Sequence, residues 1–109
     1  MAWLVRDGEV LAAVEVAETA RARRRGLMHR DRFDGAMVLR PCRHVHTAGM
    51  RFSIDVAFCD GEGTVLRTTT LAPWRLSPIV RRAAFAIEAE AGAFDRWRLA
   101  RGDRVELRA

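Results

Sequence analysis

Residues 46–66, HTAGMRFSIDVAFCDGEGTVL, decide the fold. Phe52, Ile54, Val56 and Phe58 alternate with Ser53, Asp55, Ala57 and Cys59, the two-residue period of a half-buried strand. The large apolar set then faces one side, and Asp55 faces the other among small neighbours. Asp60-Gly61-Glu62-Gly63 follows, and such a cluster supplies the positive φ angles of a hairpin turn. Residues 64–71 are rich in β-branched side chains and form the returning strand.

Upstream, residues 3–5 and 9–16 flank Arg6-Asp7-Gly8, and Asp-Gly is a strong hairpin signal. Thr19 is a good N-cap for a helix over residues 20–25, and Gly26 a good residue to end it. Arg21, Arg24 and Arg25 form a basic ridge on that helix, near the C-terminal end, where arginine suits the helix dipole. Asp31 to Gly35 form a turn, and residues 36–39 are a short apolar strand stopped by Arg40-Pro41, because the residue before proline is pushed to an extended shape. Downstream, residues 72–78 make a proline-punctuated loop carrying Trp74. Phe85, Ile87 and Ala89 then share one side of a strand with Glu88 and Glu90 opposite, Gly92 breaks it, and one helical turn and a last strand through Val105 and Leu107 follow. The expected architecture is a single α+β domain over residues 1–109. It is mainly β, a small curved or barrel-like antiparallel sheet with about two short helices, since closure removes exposed edges.

A chain of 109 residues holds one modest core that buries roughly two thirds of the unfolded surface. Half of it is apolar and 30% charged, as in ordinary globular proteins. No apolar run approaches the ~20 residues of a membrane span, and no basic stretch followed by an apolar one opens the chain, so a cytoplasmic location without membrane contact is expected. Cys42 and Cys59 are then expected as free thiols. The net charge of +5 and a pI near 11.1 invite a nucleic-acid reading. All 19 basic residues are arginine, however, and alanine is abundant, a bias that GC-rich coding produces whatever the function. Nucleic-acid binding is therefore not the favoured reading.

Several segments together carry a resemblance. Arg25-Gly26-Leu27-Met28 with Arg30, then His46-Thr47, Met50, Phe52, Ile54-Asp55-Val56-Ala57-Phe58, Asp60, Gly63 and Val65, and finally Gly102-Asp103 resemble domain-of-unknown-function family 192. Three separated motifs occur in the family's order between residues 19 and 107. Ile87-Glu88 stands where the family often has a Leu-Glu pair, and Ser53 where proline is more frequent. The resemblance implies a compact, mainly β domain with short helices, and no established activity.

The candidate chemistry is limited. Cys42, His44 and His46 share one face if their segment is extended, and thiolate with imidazole suits zinc or copper. Alternate positions on a strand stand about 7 Å apart, wide for a single ion with bonds of ~2.1–2.3 Å, so no metal or other cofactor is expected. Asp55 is expected as the partner of Arg25, Arg30 or Arg51 in a structural ion pair. Paired with His46 it would instead supply acid–base chemistry for a small hydrolase or metal-dependent enzyme. No Gly-x-Ser-x-Gly, His-Glu-x-x-His or phosphate-loop signature is present, and an enzyme is not the favoured reading. The leading expectation is a binding or accessory domain. Arg25, His46, Arg51, Asp55 and Trp74 would form its site, and an anionic small ligand or an acidic protein partner would suit the arginines.

Overall fold

The computed structural model describes residues 2–109. Its strands are β1 (Ala2–Arg6), β2 (Glu9–Ala17), β3 (Ala36–Leu39), β4 (Ile54–Cys59), β5 (Val65–Leu71), β6 (Phe85–Glu90) and β7 (Glu106–Arg108). Two short helices, α1 (Ala20–Arg25) and α2 (Ala93–Trp97), complete it. All seven strands join one sheet in the order β5-β4-β6-β3-β2-β1-β7. The fold is α+β and mainly β, as the strand periodicity and turn residues indicate.

The hairpin signals act as read. Asp7 and Gly8 both take positive φ, 51° and 80°, and reverse the chain between β1 and β2. In the β4–β5 turn, Asp60 Oδ1 accepts the N–H groups of Glu62 and Thr64, at 2.9 and 3.0 Å. One pairing departs from the antiparallel expectation. β2 and β3 run parallel, with Val14 opposite Ala36 and Ala17 opposite Leu39. Parallel neighbours need a crossover rather than a hairpin, and α1 with its following loop supplies it.

The sheet curls without closing. Its end strands β5 and β7 meet only near their starts, where Thr64 bridges Arg104 and Val65 exchanges backbone hydrogen bonds with residues 102 and 103. Gly63 makes the approach sterically feasible: its φ is +87°, and an added Cβ would overlap the carbonyl oxygen of Val105.

Both faces of the sheet are covered, so β4 is buried at all six positions instead of on one side. On one face Ala57, Cys59, Ile87 and Ala89 pack with Phe94 and Leu99 around α2. On the other, Ile54, Val56 and Phe58 meet Leu27, Val45 and Met50 from the loops. Small residues on the α2 side leave room for that helix. Among the described residues no helix is long and apolar enough to cross a membrane.

At its N-terminus α1 is held by Thr19, whose Oγ1 accepts the Ala22 N–H at 3.0 Å. A six-residue helix cannot stand on propensity. Thr19→Ala should therefore lower the unfolding free energy by about 1 kcal/mol in urea denaturation. An unchanged midpoint would show that tertiary packing alone sets the helix start.

Candidate functional site

Beside α1 lies a cavity of about 600 Å³. One wall is the helix end, from Arg23 through Gly26 to Met28. Facing it is the segment after β3, including Cys42, His44 and His46, with Leu39 and Met50 adding apolar surface. That second wall has little regular structure of its own, and the loop between β5 and β6 fixes it. Val45 and Ser77 exchange two hydrogen bonds of 2.9 Å, one through the serine hydroxyl, and His46 bridges Leu76. The fully buried Thr47 anchors the same loop: its hydroxyl donates to Ala72 O at 2.6 Å and accepts the Arg75 N–H at 2.8 Å.

Glu88 also lines this cavity. It sits on β6 between β3 and β4, directly across from Met37 and Val56. Its residue exposure is only 3%, and its Oε1 has no hydrogen-bond partner among the described residues. Burial pushes its pKa up to about 7, because desolvation penalises the charged form. Gly26 lies against it: with φ +46°, a Cβ there would come within 3.2 Å of Glu88 Oε1. The glycine that ends α1 thus also lets the helix terminus approach the carboxylate.

Cys42 lies within the electrostatic reach of both Glu88 and Arg23. Burial, chiefly, pushes its thiol up to about 11, with Glu88 adding to the rise while the His44 backbone contact and Arg23 oppose it. Its Sγ donates to the His44 carbonyl at 3.1 Å. At neutral pH this residue is a thiol, which is a poor nucleophile and a poor metal ligand. Cys59 is fully buried, and burial with nearby Asp60 pushes it to about 12.

The five expected site residues do not come together. Arg25 and His46 line the cavity, with His46 Nδ1 accepting the Ala48 N–H at 3.2 Å. Asp55 lies on the α2 face, 6% exposed, and accepts hydrogen bonds from Thr70 Oγ1 at 2.7 Å, Gly92 N at 3.0 Å and Phe94 N at 3.1 Å. The expected ion pair with Arg25, Arg30 or Arg51 is not formed. Arg30 pairs with Glu15 and Arg51 with Asp31, while backbone N–H groups at the start of α2 take the carboxylate of Asp55. His46 and Asp55 line different cavities, so acid–base chemistry between them has no geometry here. Trp74 is 69% exposed on its loop and does not line the cavity. Cys42, His44 and His46 share the cavity. Among the described residues, however, no group of three or more His, Cys, Asp or Glu side chains is placed to hold a metal ion.

Comparisons with known proteins agree with this fold. Over 62 residues the chain is 40% identical to a UPF0127 protein of Pyrococcus abyssi (strain GE5 / Orsay), a match covering 57% of this chain and 53% of that protein. The chain therefore spans about half the length of this relative. A crystal structure of a protein of unknown function from Novosphingobium aromaticivorans DSM 12444 superposes with a TM-score of 0.82 at 19% identity, covering 96% of this chain and 82% of that one. A "putative transcription regulator" from Sinorhizobium meliloti 1021 gives 0.81 at 24% identity, over 96% and 90% of the two chains. At such identities these structures share the fold. The model of the DUF192 family, described as uncharacterized ACR, matches residues 2–107, and with nearly its whole length covered this chain belongs to that family.

Proposed function

We propose that this domain binds a small organic ligand in the cavity beside α1. The observation that carries the reading is Glu88, which lines that cavity, is held almost wholly out of water and has a carboxylate oxygen without a partner among the described residues. Buried polar groups are nearly always satisfied, and an unsatisfied one on a side chain that lines a cavity suits a site completed by a ligand. Apolar side chains from Leu27, Leu39, Val45 and Met50 supply the body of the site. Arg24, Arg25 and Arg43, all exposed, bring positive charge to its mouth, which suits an anionic end of the ligand. Within this reading Arg25 and His46 remain site residues, Asp55 is a structural anchor, and Arg51 and Trp74 stand outside the cavity.

The test is a thermal-shift screen with organic carboxylates, phosphates, divalent metals and short RNA, followed by backbone amide NMR titration of each hit. A specific ligand at a hundred times its Kd should add about 2.7 kcal/mol and raise the midpoint by several degrees. The perturbed amides should include Gly26, Met28, Cys42 and His46. Ala20→Trp, at an exposed helix position lining the cavity, should block binding while leaving the circular dichroism spectrum unchanged. Hits whose perturbations fall elsewhere, or binding confined to RNA with a steep salt dependence, would overturn the reading.

A further inference from the structure

The cavity has two ends of opposite character. At its mouth stand the exposed arginines 24, 25 and 43, and Glu88 lies within. The available cations do not neutralise that carboxylate. Arg23, the least exposed of the helix arginines in the cavity, donates instead to the carbonyl oxygens of Glu18 at 2.5 Å and Arg40 at 3.2 Å. Among the described residues no ion pair includes Glu88. His44 and His46 line the same cavity from the opposite wall, and Cys42 donates to a backbone carbonyl. The protein thus holds an acceptor inside and positive charge outside, with apolar walls between them.

We propose that the ligand is an amino-carboxylate: an apolar stem whose ammonium group pairs with the Glu88 carboxylate and whose carboxylate stays with the arginines at the mouth. This rests on the cavity being the ligand site. Two features favour it over a simple carboxylate. An anion with an aliphatic tail would leave Glu88 unpaired, whereas an ammonium forms a charge-assisted hydrogen bond in surroundings of low polarity. The charges of the ligand also run in the opposite order to those of the cavity, so a ligand entering the wrong way round meets like charge at both ends.

Isothermal titration calorimetry of the full chain separates the possibilities. The probes are hexanoate, 1-hexanol and 6-aminohexanoate, with the four- and eight-carbon amino acids to vary the reach. At pH 7 the best amino-carboxylate should bind at least tenfold more tightly than the alkanoate of equal length. Runs in buffers of different ionisation enthalpy should show net proton release on binding, because burial holds the Glu88 pKa up at about 7 and the ammonium drives it to the carboxylate form. In Glu88→Gln both the tenfold preference and the proton release should disappear while alkanoate binding persists. Equal affinity for hexanoate and 6-aminohexanoate, or proton uptake on binding, would overturn the proposal and leave the ligand-site reading standing. If no probe, hexanol included, perturbs the amides of Gly26, Met28 and His46, both fall.

Discussion

Urea denaturation of Asp55→Ala should show a loss of about 4 kcal/mol against the unsubstituted chain, with an unchanged slope. Asp55 is buried, and its carboxylate takes three hydrogen bonds, from the Thr70 hydroxyl and from the N–H groups of Gly92 and Phe94. Hydrogen bonds to a charged group contribute roughly 1.5–3 kcal/mol each, and a donor stranded in the interior costs about 1–3 kcal/mol. Alanine removes the acceptor for two backbone donors at the start of α2, where no side chain of the helix itself caps them. Since a domain of this size holds only about 5–15 kcal/mol in total, that loss removes between roughly a quarter and four fifths of it. Asp55→Asn keeps the shape and one carbonyl acceptor and should lose roughly half as much. A loss below 1 kcal/mol for the alanine variant would mean that water replaces the carboxylate at no great cost, and that α2 is not anchored through β4.

Asp55 also illustrates how far the sequence is legible. Its side of the strand follows from the alternation of Phe52, Ile54, Val56 and Phe58 with small residues, and the structure agrees. Its partners do not follow, because Gly92 and Phe94 are 37 and 39 residues away and reach it only through the sheet order. Local signals survive for the same reason that long-range ones fail. Thr19 and Gly26 mark α1, and Asp7-Gly8 marks a turn, through contacts within a few residues. The parallel pairing of β2 with β3 has no such local mark.

The burial of Glu88 has no local mark in the sequence either. Its alternation with Phe85, Ile87 and Ala89 is plain, and a glutamate opposite an apolar face ordinarily points to water. Here β6 lies between β3 and β4 in the middle of the sheet, and α1 with the loops covers the second face, so the glutamate face became interior. Glu90, on the same face, is satisfied by the Phe33 N–H at 3.3 Å, and Glu88 Oε1 is not satisfied.

The energetic consequence of that burial gives the second large effect. Glu88→Gln should stabilise the protein at pH 8 by up to about 3 kcal/mol and raise its thermal midpoint by on the order of ten degrees, with the gain vanishing near pH 4. The carboxyl titrates near 4.5 unfolded and near 7 folded, where burial raises it. Between those values the folded state holds the proton that the unfolded state has released. Stability therefore falls as pH rises through this window and levels off above it, where both states are charged and the folded one carries the desolvation penalty. Below the window both states are neutral, and glutamine is a close replacement. Glutamine never ionises, so taking the difference between the two proteins at each pH cancels the titration of every other group and leaves that of Glu88. A gain that is equal at pH 4 and pH 8 would show that Glu88 ionises as freely as an exposed carboxylate, removing the physical basis for the site. A gain that grows with pH would show that the chain tolerates a charge its fold alone would be more stable without, and a ligand that pairs with Glu88 would recover that stability on binding.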